Sequence, residues 1–221
     1  MLQRAVKVVV ILALLMAVVI GPAGASVNLA VIGTAKVGAD PTAYNLIYDS
    51  GASLLWLDYT HGGGNDNGGE ANTWVTGLSL NSIDTPGYIV DSSGWRLPIT
   101  DPAIVPDNVG YNQTGSEMGH LYYTDLGLIA GTAVTADNQG PFTNIVLGAY
   151  WTGTYYEGEG SYWVFGTAGY QDGDRDYNHN YTLAVRSGQL LTSAVPEPST
   201  YFLLCIGLGV VGYARRKMSA R

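Results

Sequence analysis

Two short apolar segments, one at each end of the chain, leave residues 26–194 as the stretch that can form a globular domain. The first segment runs from Val8 to Ile20, and the second runs from Tyr201 to Ala214. The stretch between them, here called the body, is long enough for one domain with its own core and too short for two ordinary domains. We therefore expect one folded body between two terminal signals, residues 1–25 and 195–217.

The N-terminal signal has the composition of a secretory signal peptide. Arg4 and Lys7 supply positive charge ahead of the apolar segment, and Ala23-Gly24-Ala25 follows it. Small residues at positions −3 and −1 are what a signal peptidase requires, so Ala23 and Ala25 predict cleavage before Ser26. The alternative is an uncleaved signal anchor.

The C-terminal signal has three parts in a fixed order: a proline-bracketed motif, the apolar segment from Tyr201 to Ala214, and a basic cluster. The motif consists of Val195, Pro196, Glu197 and Pro198, and the basic cluster consists of Arg215, Arg216 and Lys217. The apolar segment is shorter than the roughly 20 residues that span a bilayer comfortably. A short segment behind a processing-type motif is typical of an address rather than of a permanent anchor. A plain single-pass anchor is the alternative, and it leaves the motif unexplained.

This order of parts resembles the PEP-CTERM sorting signal of Gram-negative bacteria, in which Pro196-Glu197-Pro198 is the signature. The resemblance implies processing by an exosortase, a membrane-bound transpeptidase-like enzyme, and an association with exopolysaccharide production. It also implies an exported protein that the tail holds at the membrane, transiently or permanently. The mature protein is then expected at the cell surface or in the extracellular matrix.

The body is strongly acidic and contains no cysteine. Six of the ten basic residues lie outside the body, so the body is more acidic than the whole-chain charge of −8. Such a body repels phosphates, which excludes nucleic acid as a partner. The single cysteine, Cys205, lies in the C-terminal apolar segment, so the body has no disulfide. All 5 Trp of the chain and 14 of its 16 Tyr lie in the body, where they can supply packing area, and such rings are also the usual platforms for sugars.

Short aromatic stretches between glycine-rich turns predict short strands, which form hairpins beyond Gly140. The predicted strands cover residues 27–32, 44–48, 54–59, 149–156, 161–167 and 181–186. One helix is predicted over residues 70–78, and a second begins with a capping box from Thr114 to Glu117 and ends at Gly127. The glycine-rich segment His61–Gly69 is predicted to be a mobile surface loop.

Five short motifs lie along these predicted elements. They are Asp49–Tyr59 (DSGASLLWLDY), Gly94–Pro98 (GWRLP), Ser116–Gly127 (SEMGHLYYTDLG), Tyr150–Gly153 (YWTG) and Leu183–Gly188 (LAVRSG). The series resembles a family of exported bacterial domains of unassigned function, related to the Lcl C-terminal or C-type-lectin-like group. The resemblance implies an α+β fold in which two helices pack on a curled, mostly antiparallel sheet with long loops. Apolar signal helices are expected to flank it.

Two of the few basic residues of the body, Arg96 and Arg186, lie inside these motifs. We predict that they pair with carboxylates such as Glu117 or Asp58, because buried guanidinium groups require such partners. A site for a carboxylate or sulfate ligand is the alternative. Trp95 and Leu97 are predicted to be core residues.

One segment, residues 172–180 (DGDRDYNHN), has the chemistry of a metal site. Oxygen ligands at alternate positions suit calcium. The possible ligands are Asp172, Asp174, Asp176 and Asn178. The EF-hand pattern is not met, since Tyr177 stands where that loop requires glycine. The same residue types are common in hairpin loops, so a plain loop is the favoured interpretation and calcium binding is the alternative. No other cofactor is predicted.

Enzyme motifs do not match the body. It has no G-x-S-x-G elbow and no H-E-x-x-H pair, and the spacing of His61, His120 and His179 supports no Ser/His/Asp set. Paired carboxylates for glycoside hydrolysis are recognised by distance rather than by spacing. We predict a non-catalytic, surface-directed domain that engages extracellular polysaccharide. A purely structural matrix protein and a glycan-processing enzyme are the alternatives.

Overall fold

The computed structural model of the chain describes residues 28–100, 109–156, 161–175, 178–188 and 190–192. The predicted signal peptide, sorting motif, apolar segment and basic cluster lie outside these residues. Within the described ranges, no helix has the length and apolar character needed to cross a bilayer.

The described residues form ten strands and two helical segments. The strands are β1 (Leu29–Val37), β2 (Ala43–Asp49), β3 (Leu54–Asp66), β4 (Leu80–Asp84), β5 (Tyr88–Ile89), β6 (Ala149–Tyr156), β7 (Ser161–Gly166), β8 (Gln171–Arg175), β9 (Asn180–Ser187) and β10 (Leu191–Thr192). The first helix is α1 (Gly68–Thr76). The second segment begins as a short α-helical turn, α2 (Glu117–Gly119), and continues as a π-helix (His120–Asp125).

Eight strands form one open sheet in the order β4-β1-β2-β3-β9-β6-β7-β8, and β10 pairs with β5 separately. Neighbouring strands are antiparallel except β6 and β9, which meet in parallel at Tyr150 and Tyr181. Bulges interrupt β1 between Val31 and Gly33 and β3 after Leu57, and bulges bend and twist a strand. The predicted mostly antiparallel sheet with two helices is confirmed.

The sheet is a middle layer with a core on each face. Leu54 and Trp56 of β3 belong to one core, and Leu55 and Leu57 belong to the other. Successive strand side chains point to opposite faces, so an unbroken apolar run in the sequence requires both faces to be covered.

Helix α1 and the GWRLP motif cover the first face. Asn67 caps α1 by accepting a hydrogen bond from the Glu70 amide, and the Glu70 carboxylate accepts one from the Asn67 amide. This reciprocal cap replaces the hydrogen bonds that a helix start lacks. Trp95 and Leu97 are 4% and 2% exposed in the same core, as predicted.

The second helical segment covers the other face. Four of its side chains are buried in the second core: Met118, Leu121, Tyr122 and Leu126. The predicted capping box from Thr114 was wrong. Ser116 is the cap, with its hydroxyl accepting from the Gly119 amide at 3.0 Å, because the Glu117 carboxylate is held by Arg96 instead.

Two segments predicted as loops contain strand. The stretch from His61 to Asp66 continues β3, where His61 pairs with Thr182 and Asp66 with Asn180. Asp172 and Asp174 lie on β8, opposite Val164 and Tyr162 of β7. In both places, pairing with a neighbouring strand overrides the weak strand preference of Gly, Asn and Asp.

Candidate functional site

Three side chains from distant parts of the chain converge beneath the second helical segment. They are Asp49 at the end of β2, and His120 and Asp125 at the two ends of the π-helix. One ligand atom of each, a carboxylate oxygen or an imidazole nitrogen, lies within 4.8 Å of both others. Asp49 is 0% exposed and Asp125 is 3% exposed.

The π-helix brings His120 and Asp125 together. Residues three or four apart share a face of an α-helix, so a pair five apart would diverge there. Here the Leu126 amide donates to the Leu121 carbonyl at 2.8 Å, which is the i→i+5 bond of a π-turn. As a result, His120 Nε2 lies 3.4 Å from Asp125 Oδ2.

A tight turn fixes the orientation of Asp49. Its Oδ1 accepts hydrogen bonds from the amides of Gly51 and Ala52, both at 2.9 Å. Gly51 also permits a close approach, because a Cβ at that position would lie 3.1 Å from the Asn28 amide nitrogen. The turn therefore holds one oxygen of Asp49, whereas the second oxygen is buried without a hydrogen-bond partner.

Asn28 holds Asp125 from the other side. Its Nδ2 donates to Asp125 Oδ1 at 3.1 Å. Burial raises the pKa of the Asp125 carboxyl to about 6; the Asn28 hydrogen bond opposes the rise, the nearby Asp49 carboxylate adds to it, and His120 opposes it. In both aspartates, one oxygen is thus fixed by N–H donors and the other is directed into the cluster.

The three inward atoms have no hydrogen-bond donor from the described protein. Asp49 Oδ2, Asp125 Oδ2 and His120 Nε2 are all buried without a hydrogen-bond partner. Such atoms are rare in folded proteins and are costly unless a cation or a shared proton satisfies them. The cluster can therefore hold a cation or share a proton.

Sequence reasoning did not find this cluster. The spacing of His61, His120 and His179 indicated no site, and the His120 ring is half-buried. The missing information was the π-turn, since spacing arguments based on an α-helix separate His120 from Asp125. One signal was available: Asp49 and the pair His120 and Asp125 lie in two of the five motifs.

The predicted calcium ligands lie elsewhere. Asp174 accepts hydrogen bonds from the side-chain amide of Asn178, from that of Asn180 at 2.8 Å, and from the Arg175 amide at 2.9 Å. Asp172 accepts from the Gly173 amide at 2.8 Å. Asp176 lies outside the described residues, so the alternative of calcium binding at this segment stays untested.

Arg96 pairs with Glu117, as predicted. Two parallel hydrogen bonds of 2.7 Å join the guanidinium and the carboxylate, and the Ile99 amide donates to the same carboxylate. Arg186 instead contacts Asp91, at 2.7 Å to its carbonyl and 3.3 Å to its carboxylate. Both arginines are therefore paired with acidic residues, and the alternative of a ligand site stays untested.

Tyrosine provides the exposed aromatic surface. Trp56, Trp95, Trp151 and Trp163 are buried. By contrast, Tyr111 and Tyr170 are 45% and 39% exposed, and their rings contact edge to face at 5.0 Å. A surface for sugar rings would therefore be built from tyrosine.

The comparisons with known proteins concern the tail. Residues 194–217 match the family model for the PEP-CTERM protein-sorting motif, as the order of motif, apolar segment and basic cluster predicted. The match supports an exported protein that an exosortase sorts and that its tail anchors before processing. No curated protein and no solved structure matches the chain. These comparisons give no support to the C-type-lectin-like resemblance of the body.

Proposed function

We propose that this chain is an exported, surface-directed, non-catalytic protein whose body associates with extracellular polysaccharide after exosortase processing of its tail. The PEP-CTERM match over residues 194–217 is the observation that carries this proposal. In this scheme a signal peptide, residues 1–25, starts export, the body folds outside the cytoplasm, and the tail is processed at the membrane.

The exposed pair Tyr111 and Tyr170 supports an association with polysaccharide. A tyrosine ring offers an apolar face to the C–H groups of a sugar and a hydroxyl to its polar groups. The two rings contact each other, so each limits the rotation of the other. A partly ordered platform loses less side-chain entropy on binding than two freely rotating rings.

The burial of the carboxylate pair supports a non-catalytic body. In glycosidases the two carboxyl groups flank a sugar ring, roughly 5 Å or more apart across a cleft. Asp49 and Asp125 are 0% and 3% exposed, and their inward oxygens lie within 4.8 Å of each other. No sugar ring fits between them.

Replacing Pro196-Glu197-Pro198 by three alanines tests the delivery step. Export should persist, because the signal peptide and the apolar segment are unchanged, whereas processing of the tail should stop. Mass spectrometry of the mature protein measures both ends and should place the N-terminus of the wild type at Ser26. A matched control replaces Ser199 and Thr200 by alanine and should be processed normally. Processing of the triple variant like the wild type would show that the motif is not a sorting signal.

A glycan array tests the association with polysaccharide. Tyr111→Ala with Tyr170→Ala should abolish the binding of extracellular polysaccharide fragments. The matched control is Tyr155→Ala, which removes an exposed ring that contacts Tyr162 edge to face at 5.4 Å. If the wild type binds no glycan, the structural matrix protein is the better account. Release of shortened sugars would favour the glycan-processing enzyme.

A further inference from the structure

We propose that Asp49, His120 and Asp125 form a binding site for a divalent transition-metal ion such as Zn²⁺. The site lies between the end of β2 and the π-helix, and it is separate from the acidic segment at residues 172–180. Its three ligand atoms come from two elements that are far apart in the sequence, so an ion would join the sheet to the helical segment that covers it.

The convergence of acceptor atoms is the first argument. Asp49 Oδ2 and Asp125 Oδ2 are buried carboxylate oxygens without a hydrogen-bond donor, and one ligand atom of each of Asp49, His120 and Asp125 lies within 4.8 Å of the other two. Burying a charged oxygen without a partner is costly, and burying two side by side adds their repulsion. A single shared proton bridges only two of the three atoms, whereas a metal ion can bind all three. A divalent ion also balances the charge of two carboxylates and a neutral imidazole.

The geometry is the second argument. Two ligands about 2.0–2.1 Å from a tetrahedral zinc ion lie roughly 3.3–3.4 Å apart. His120 Nε2 and Asp125 Oδ2 are 3.4 Å apart, although they do not form a hydrogen bond. All three atoms lie within 4.8 Å of one another, so an ion that binds all three would draw the third atom toward the other two.

The surrounding hydrogen bonds are the third argument. Ligands of metal ions are usually oriented by partners that hold their other polar atom. The Gly51 and Ala52 amides hold Asp49 through Oδ1, and Asn28 holds Asp125 in the same way. Each carboxylate is therefore fixed in one orientation, with the remaining oxygen directed inward.

The ligand set selects the class of ion. Calcium requires six to eight oxygen ligands, which this cluster does not provide. Imidazole together with carboxylate suits Zn²⁺ and its neighbours among the first-row metals. Three protein ligands leave a fourth position of a tetrahedral ion for water.

The test uses the full-length, tag-free chain in detergent, after removal of metal with a chelator. Zn²⁺ should raise the melting temperature by several degrees through binding to the folded state, whereas Ca²⁺ at the same concentration should not raise it by this route. Calorimetric titration should give one Zn²⁺ per chain. Co²⁺ should produce visible absorption that Zn²⁺ displaces.

The variants are chosen to keep the fold. Asp49→Asn retains the Oδ1 acceptor of the turn and loses the inward ligand, and His120→Gln removes the nitrogen ligand. Both should abolish the Zn²⁺ shift. The matched control is His61→Gln, because His61 has a similar exposure of 30% and lies 3.6 Å from Asp66. This control should keep the shift.

Three results would overturn the proposal: no Zn²⁺ shift in the wild type, a shift that persists in both site variants, or a shift that only His61→Gln abolishes. If a site variant does not fold, as judged by circular dichroism, Asp125→Asn replaces it. The Co²⁺ spectrum of the wild type then decides independently. A Co²⁺ spectrum that indicates coordination without nitrogen would also contradict the proposed site.

Discussion

Two regions of the molecule bury aspartate completely, and they do so in opposite ways. Asp58 of β3 is 0% exposed and accepts four hydrogen bonds, two from Thr143 and two from Asn144, at 2.8–3.2 Å. Asp49 and Asp125 are buried to the same degree, yet each keeps one oxygen without a donor. Burial alone therefore does not mark a functional site; the number of donors around the buried group distinguishes a structural carboxylate from a candidate ligand.

The two regions also differ in what they hold together. The four donors to Asp58 attach the long connection before β6 to the middle of the sheet, so the carboxylate replaces regular secondary structure there. The inward oxygens of Asp49 and Asp125 attach nothing in the described chain. We expect substitution in the first region to cost stability under all conditions, and substitution in the second to matter mainly when metal is present.

The largest expected effect is the loss of stability in Asp58→Ala. Removing the carboxylate leaves its buried donors without an acceptor, so the free energy of unfolding should fall by about 3–5 kcal/mol. Urea denaturation should show the same loss with chelator and with Zn²⁺. Asp84→Ala, at an exposed position on β4, is the control and should be near neutral. If Asp58→Ala lowers the free energy of unfolding by less than about 1 kcal/mol, the hydrogen-bonded Asp58 is no more structural than Asp49 and Asp125.

An intermediate effect is expected at Glu117. Both of its carboxylate oxygens accept hydrogen bonds, as in Asp58, but its side chain is partly exposed. A double-mutant cycle of Arg96→Met and Glu117→Gln should give a coupling free energy of about 1–3 kcal/mol, because the pair is bidentate and charged. The matched control is the pair of Arg186 and Asp91. The Asp91 side chain is 77% exposed, so that coupling should lie within about 1 kcal/mol of zero. Equal coupling free energies in the two pairs would show that the number of hydrogen-bond donors to a carboxylate does not determine its contribution to stability.

A small effect is expected when Asp125→Asn is measured without metal. Asparagine keeps an oxygen for the Asn28 amide and removes one of two adjacent buried acids, so the free energy of unfolding should change by about 1 kcal/mol or less. The same variant should lose the stabilisation by Zn²⁺. If Asp125→Asn without metal loses as much free energy of unfolding as Asp58→Ala, the Asp125 carboxylate is structural, and the proposed difference between the two regions is wrong.

The sequence predicts much of the fold because hydrophobic patterns report burial directly. The run from Leu54 to Leu57 indicates a strand with both faces covered, and Trp95 and Leu97 are core residues as expected. Strand β8 was missed because its Gly and Asp residues are typical of loops, and only its partner β7 makes it a strand. Such non-local pairing leaves little trace in a local pattern.

The candidate metal site was missed for a different reason. Its residues were visible, but the geometry that joins them was not. A π-turn changes which residues share a face, and no residue between His120 and Asp125 identifies that turn in the sequence. Asp49 reaches the site only through the pairing of β2 with β1 and β3, which places the end of β2 beneath the helical segment.

The smallest expected effect is a pH dependence of stability that arises from His61, which like His120 lies near an aspartate. Burial against Trp74 lowers the pKa of His61, and the nearby Asp66 opposes this only in part. A lowered histidine pKa means that the folded state binds fewer protons than the unfolded state. This contribution to stability is therefore present above the ordinary pKa near 6.5 and is lost as the pH falls below it.

An NMR titration of the imidazole signals checks this prediction. His61 should titrate below its ordinary pKa, and Trp74→Ala should move the value back upward because it exposes the ring. A His61 pKa above the ordinary value would show that Asp66 dominates. The His61 signal should also be insensitive to Zn²⁺ when the His120 signal responds.

The most direct measurement is anomalous X-ray diffraction from crystals of the zinc-loaded chain, recorded on both sides of the zinc edge. The account predicts a zinc peak about 2.0–2.2 Å from His120 Nε2 and from one carboxylate oxygen of each of Asp49 and Asp125. A zinc peak only at His61, or only at the acidic segment that contains Asp174, would contradict the account. The absence of any peak between β2 and the π-helix at saturating Zn²⁺ would contradict it equally.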